Sequence, residues 1–161
     1  MRRNHFLAAS TLSILLALSV NYTQADDDLR EAHAILGASP FANITYGNNA
    51  VRGSAVLVPQ EQGASTKVIL RIRGLTPGTV HIGHIHGGNC PQLFVGTILH
   101  NLEPVVINAS GEGSSRTLIP ASIQGLVDCA WWVAIHQGPA NTAPQTPAVA
   151  VGPVFTGGKR D

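Results

Sequence analysis

Lys67-Val68-Ile69-Leu70-Arg71-Ile72-Arg73 carries apolar Val68, Leu70 and Ile72 at every second position, with charged Lys67, Arg71 and Arg73 among the alternate ones. A two-residue period is how a half-buried strand turns one face inward and the other to water, whereas a helix repeats its apolar residues every three to four. Ile69 interrupts the polar set and reads as a further buried position. Seven more short runs share the character of this one: Ala32 to Leu36, Val51 to Val58, Val80 to His86, Leu102 to Ala109, Ser114 to Ile119, Ala130 to His136 and Ala148 to Val154. Between them lie turn sequences such as Thr76-Pro77-Gly78, Gly87-Gly88-Asn89 and Ser110-Gly111-Glu112-Gly113. Eight strands at this spacing predict an all-β sandwich or barrel. Asp26 to His33 could instead begin with a helical turn.

The chain has 161 residues, of which 12% are charged and 44% hydrophobic, with 17 Gly and 10 Pro. The length fits one compact domain, and the Gly and Pro load disfavours a helical bundle. Ten Lys and Arg stand against nine Asp and Glu. That balance gives no broad basic surface for a phosphate backbone and argues against nucleic acid as a partner.

Residues 1–25 read as a secretion signal. Arg2 and Arg3 form a basic start, Phe6 to Val20 is an apolar run short for a membrane span, and Thr23-Gln24-Ala25 supplies small residues at a cleavage site. Cleavage after Ala25 is expected, with an uncleaved membrane anchor as the alternative; residues 26–161 then form the folded domain, without a membrane anchor. The expected location is secreted or periplasmic. There, two cysteines, Cys90 and Cys129, most economically form one disulfide, the alternative being a thiolate metal ligand. Asn43-Ile44-Thr45 and Asn108-Ala109-Ser110 match the short glycosylation pattern.

Seven histidines nearly equal the nine carboxylates in number. His84 and His86 are two apart on a strand and project from one face, while Ile85 points to the other. In Trp131-Trp132-Val133-Ala134-Ile135-His136 the apolar set Trp131, Val133 and Ile135 puts His136 on the face opposite the core. Adjacent Trp131 and Trp132 point to opposite sides, one into the core and the other partly covered near His136. Three imidazoles from two strands suit Cu, Zn, Fe or Ni better than Ca or Mg. No Met remains after residue 25 and no Glu lies between His86 and Glu103. A cupredoxin site and a cupin-type site are therefore disfavoured, whereas a zinc hydrolase with three His remains chemically possible.

Gly74-Leu75-Thr76-Pro77-Gly78, followed by His81-Ile82-Gly83-His84-Ile85-His86 and then Cys90, resembles the secreted copper/zinc superoxide dismutases, in which a GLxxG turn precedes an HxxHxH strand. Leu102 to Ile119, Trp132 to Gly138 and Ala148 to Val154 are similar to that family's later strands in the same order. The resemblance spans most of residues 31 to 154. It implies an eight-stranded Greek-key β-barrel and makes His84, His86 and His136 copper ligands and catalytic residues. His81 matches the family's structural histidine. Superoxide, or copper ions themselves, would be the small-molecule partner, with a monomer or homodimer both open.

The departures are equally specific. The family's long loop after Cys90 carries a bridging histidine and the zinc ligands. Here only 14 residues separate His86 from Asn101, with one histidine, His100, and no carboxylate. The zinc site is thus expected to be absent, with His100 as a candidate fourth copper ligand. Asn141 to Pro147, where the family places an anion-guiding arginine, contains none. Cys129 also precedes the tryptophan strand, whereas the family's second cysteine lies in the last strand. Copper-dependent dismutation with weak turnover is the leading expectation. Copper buffering or delivery on the same fold is the alternative, and a metal-free interaction barrel is a third reading.

Overall fold

The computed structural model describes residues 30–38, 51–88, 96–138 and 147–157. Residues 1–25, Cys90, the Asn43 sequon and most of the Asn141 to Pro147 segment lie outside the described residues. Eight strands follow in order: β1 Ala32–Ala38, β2 Arg52–Gln60, β3 Ser65–Arg73, β4 Val80–Gly87, β5 Ile98–Val106, β6 Glu112–Ile119, β7 Trp131–His136 and β8 Ala148–Phe155. Apart from a single 3-10 turn at Glu61–Gly63, the described residues contain no helix.

All strand pairs are antiparallel, in the order β5-β4-β7-β8-β1-β2-β3-β6. The two end strands come back beside each other, so the sheet forms a nearly closed barrel. At this seam the Glu103 amide donates to Thr117 Oγ1 at 2.8 Å. Near closure of this kind leaves little strand edge open to foreign pairing.

Alternation fills the interior. Leu36, Leu57, Val68, Leu70, Ile72, Ile85, Val133, Ile135 and Val154 all point inward and are at most 3% exposed, forming one core. Ile69 does not join them. It shares the outer face with Lys67 and Arg71 and is half-buried, because the period places it there whatever its side chain. The predicted fifth strand, Leu102 to Ala109, is displaced toward the N-terminus. It starts at Ile98, opposite His86, and stops before a tight turn in which Asn108 Oδ1 accepts from the Ser110 and Glu112 amides at 2.9 and 3.0 Å. The Gly74 and Leu75 amides both donate to the Gly111 carbonyl, which links the turn before β4 to the β5–β6 turn.

Candidate metal centre

On β4 the parity splits the histidines. Gly83 and Ile85 face the core with His81, and a Cβ on Gly83 would come within 2.9 Å of Ile135 Cδ1. His84 and His86 project from the outer wall, where they are 5% and 7% exposed. Pairing with β7 sets Ala134 opposite His84 and Trp132 opposite His86, so His136, two residues beyond Ala134, emerges beside His84. Ring centroids are 5.0 Å apart for His84 and His136, 5.7 Å for His84 and His86, and 6.3 Å for His86 and His136. One ring nitrogen from each lies within 4.8 Å of the others. A tetrahedral metal with bonds of about 2.0–2.1 Å holds its nitrogens roughly 3.4 Å apart, a distance that a modest inward rotation of the rings reaches.

Two of these nitrogens, His84 Nδ1 and His86 Nε2, are buried and make no hydrogen bond. Buried acceptors without a partner are costly, so their convergence is a property a bound cation would remedy. Burial, followed by the neighbouring His136 and His86, pushes the His84 pKa down to about 4. Burial also lowers His86, against a raising hydrogen bond from Gly96. Both rings are therefore neutral at pH 7 and present lone pairs. The group contains no carboxylate, and among the described residues no other set of three His, Cys, Asp or Glu side chains could hold a metal. The three histidines can hold a metal ion.

The supports around them are specific. His86 Nδ1–H donates to the Gly96 carbonyl at 3.2 Å, which leaves Nε2 as the lone-pair nitrogen. A Cβ on Gly96 would run into the Gly87 carbonyl, so only glycine brings that carbonyl so near. The His86 ring stacks on Trp132 with centroids 4.1 Å apart and planes 14° off parallel. Trp132, Ala134 and Val151 form a small second apolar cluster on this wall, beside the imidazoles. His81, 1% exposed, reaches across to β7, where its Nδ1–H donates to the His136 carbonyl at 2.7 Å. Its Nε2 lies 2.8 Å from the Thr79 hydroxyl oxygen, which itself donates to the Thr76 carbonyl at 2.6 Å, and burial lowers the pKa of the ring. The structural role read for His81 is thus concrete: it fixes the backbone of His136.

His100 is not part of the group. It pairs opposite Ile85, so it lies on the inward side of β5 and meets Trp131 edge-on at 5.7 Å. A ligand role would need it on the opposite face. His33 is exposed, 3.8 Å from Glu31. The tryptophans divide as their parity requires, but the outward Trp132, at 4% exposure, is better covered than the inward Trp131. Gly96 and the Trp132 stack escape sequence reasoning because both depend on cross-strand register. Cys129 takes a left-handed φ of 65°. Compared with protein-family models and with curated proteins, the chain matches none.

Proposed function

We propose that this is a secreted copper protein on a Greek-key barrel of the copper/zinc superoxide dismutase type, converting superoxide to oxygen and hydrogen peroxide at a three-histidine centre without zinc. The observation that carries the reading is the convergence of three buried imidazoles, two with unpartnered nitrogens, on one wall of the barrel. Imidazole donors without carboxylates suit copper among the divalent metals. The non-sequential neighbours β4–β7 and β3–β6 support a Greek-key path. The HxxHxH strand, with His81 bonded to the His136 carbonyl, supports the dismutase type. A Cys90–Cys129 disulfide and cleavage after Ala25 belong to the same proposal.

Copper bound here would supply a one-electron couple, alternately oxidising and reducing superoxide. The protein's own part is to hold neutral His84 and His86 at low pKa, so that protons do not compete for their nitrogens near neutral pH. Trp132, Ala134 and Val151 shield one side of the group from water. Among the described residues no acid joins the three imidazoles, so the two protons needed per pair of superoxide ions would come from solvent. A specific observation also favours the second reading, copper buffering or delivery without turnover. Five of the six cations among the described residues sit on strands β2, β3 and β6, on the other side of the barrel from the imidazoles, and so give little steering of an anion toward them.

Loading the secreted protein with copper, with and without zinc, and measuring bound metal and superoxide decay on the same samples tests the proposal. One copper per chain with zinc-independent decay well above that of free copper supports the enzyme. One copper without such decay replaces it with the buffer, and no copper removes both.

A further inference from the structure

The near-neutral charge of the whole chain conceals a strong local segregation. Cross-strand register defines the outer face of β2, β3 and β6 row by row: Arg52, Arg73 and Glu112; then Ser54, Arg71 and Ser114; then Val56, Ile69 and Arg116; then Val58, Lys67 and Leu118. Five of the six Lys and Arg among the described residues fall on this face, against one carboxylate, Glu112. The side chains of Lys67, Arg71, Arg73 and Arg116 make no hydrogen bond or ion pair among the described residues, and the last three residues are exposed. Arg52 is engaged in an interaction of its own. At one end of the face, Arg71 and Arg73 line an open groove of about 790 Å³ together with Ser54, Ser114, Asn108 and Glu112.

Side chains two residues apart on a strand are separated by about 6.8 Å, so Arg73, Arg71, the neighbouring Arg116 and Lys67 make a line of cations about 20 Å long. A row of unpaired like charges on one face is unfavourable unless anions reach it. The shape selects among anions. A bilayer surface cannot follow a recessed groove, whereas an extended chain can. Single-stranded nucleic acid needs aromatic platforms interleaved with the cations, and among the described residues the nearest exposed aromatic ring on this side, Phe155, lies three strands away from β3. Guanidinium forks match carboxylate and sulfate groups, and Ser54, Ser114 and Asn108 match hydroxyls.

We propose that the outer face of β2, β3 and β6 binds a linear acidic polysaccharide, through the unpaired Lys67, Arg71, Arg73 and Arg116 along and beside the groove. The face is separated from β7 by β1 and β8 on one side of the barrel and from β4 by β5 on the other. A chain held there leaves the histidine wall uncovered, so the protein can be retained on a glycan with its metal group open. This inference does not depend on which metal the histidines take.

Binding of the full secreted protein to dextran sulfate and to polygalacturonate, measured by calorimetry at several salt concentrations, distinguishes sulfate from carboxylate as the recognised group. Oligo-dT and phosphatidylglycerol vesicles serve as the competing polyanions. The expected result is salt-sensitive binding to one or both glycans that exceeds binding to either competitor. Arg71→Ser with Arg73→Ser should weaken it about tenfold. Arg30→Ser, which removes a charge outside this face, should change it less than twofold. Equal losses from both variants would show a net-charge effect only and overturn the site. So would tighter binding to oligo-dT or vesicles, or no glycan binding at low salt. Circular dichroism and copper stoichiometry of each variant report whether the barrel and histidine wall persist.

Discussion

His81→Ala tests how the barrel holds its third imidazole, because it touches no candidate ligand ring. The substitution removes the donor that lies 2.7 Å from the His136 carbonyl and leaves that buried oxygen unsatisfied, at about 1–3 kcal/mol. Deleting an almost wholly buried imidazole also leaves a cavity, for a further 2–4 kcal/mol or so by comparison with other large-to-small core changes. Together these reach a sizeable share of a typical domain's 5–15 kcal/mol or so. Urea unfolding followed by tryptophan fluorescence should show the loss. The more discriminating readout is copper affinity, since removing a support behind a ligand commonly weakens binding by about 10–100-fold. His81→Asn places an amide donor near the position of Nδ1 and should recover most of that affinity. If His81→Ala keeps copper affinity within twofold while losing stability, or if His81→Asn is no better than His81→Ala, the positioning role is wrong.

Three further outcomes follow from the same geometry. Between pH 6.5 and about 4 the unfolded chain protonates His84 while the folded protein does not, so metal-free stability should fall with pH across that window, by up to about 3 kcal/mol; urea midpoints that stay flat there would contradict it. His100→Ala should leave copper stoichiometry and affinity unchanged, because the ring lies against Trp131 on the inward side of β5; loss of copper would restore it as a ligand. Gly152→Ala drives a Cβ into the Ile35 carbonyl of β1, a backbone group that cannot rotate aside, and should cost about 2–3 kcal/mol or more by thermal unfolding.

Parity made much of this legible. Alternation along Lys67 to Arg73 specified an outer and an inner face, and the same rule put His84 and His86 together and turned His136 away from the core. It failed at Ile69, where an apolar side chain was assigned to the interior although its position in the pleat faces outward. The limits of β5 were obscured because Ile107 continues the apolar pattern into a turn that Asn108 organises. What a single sequence does not encode visibly is register between distant strands. Ala134 opposite His84 is what brings His136 to the other imidazoles, and nothing in either strand alone announces that pairing. His100 shows the same limit from the other side, since its proximity in sequence to the metal strand says nothing of the face it occupies. The basic face was hidden for a related reason. Lys67, Arg71 and Arg73 are visible on one strand, but Arg116 joins their line only once β6 is paired with β3.

The most direct measurement is equilibrium copper binding by the wild-type protein and by the His84→Ala, His136→Ala double variant, with paramagnetic resonance of the copper-loaded sample. One copper per wild-type chain with imidazole nitrogen couplings, lost in a double variant that still shows the β-barrel dichroism spectrum, is the predicted result. A wild type that binds no copper, or a double variant that binds it unchanged, would contradict the three-histidine centre.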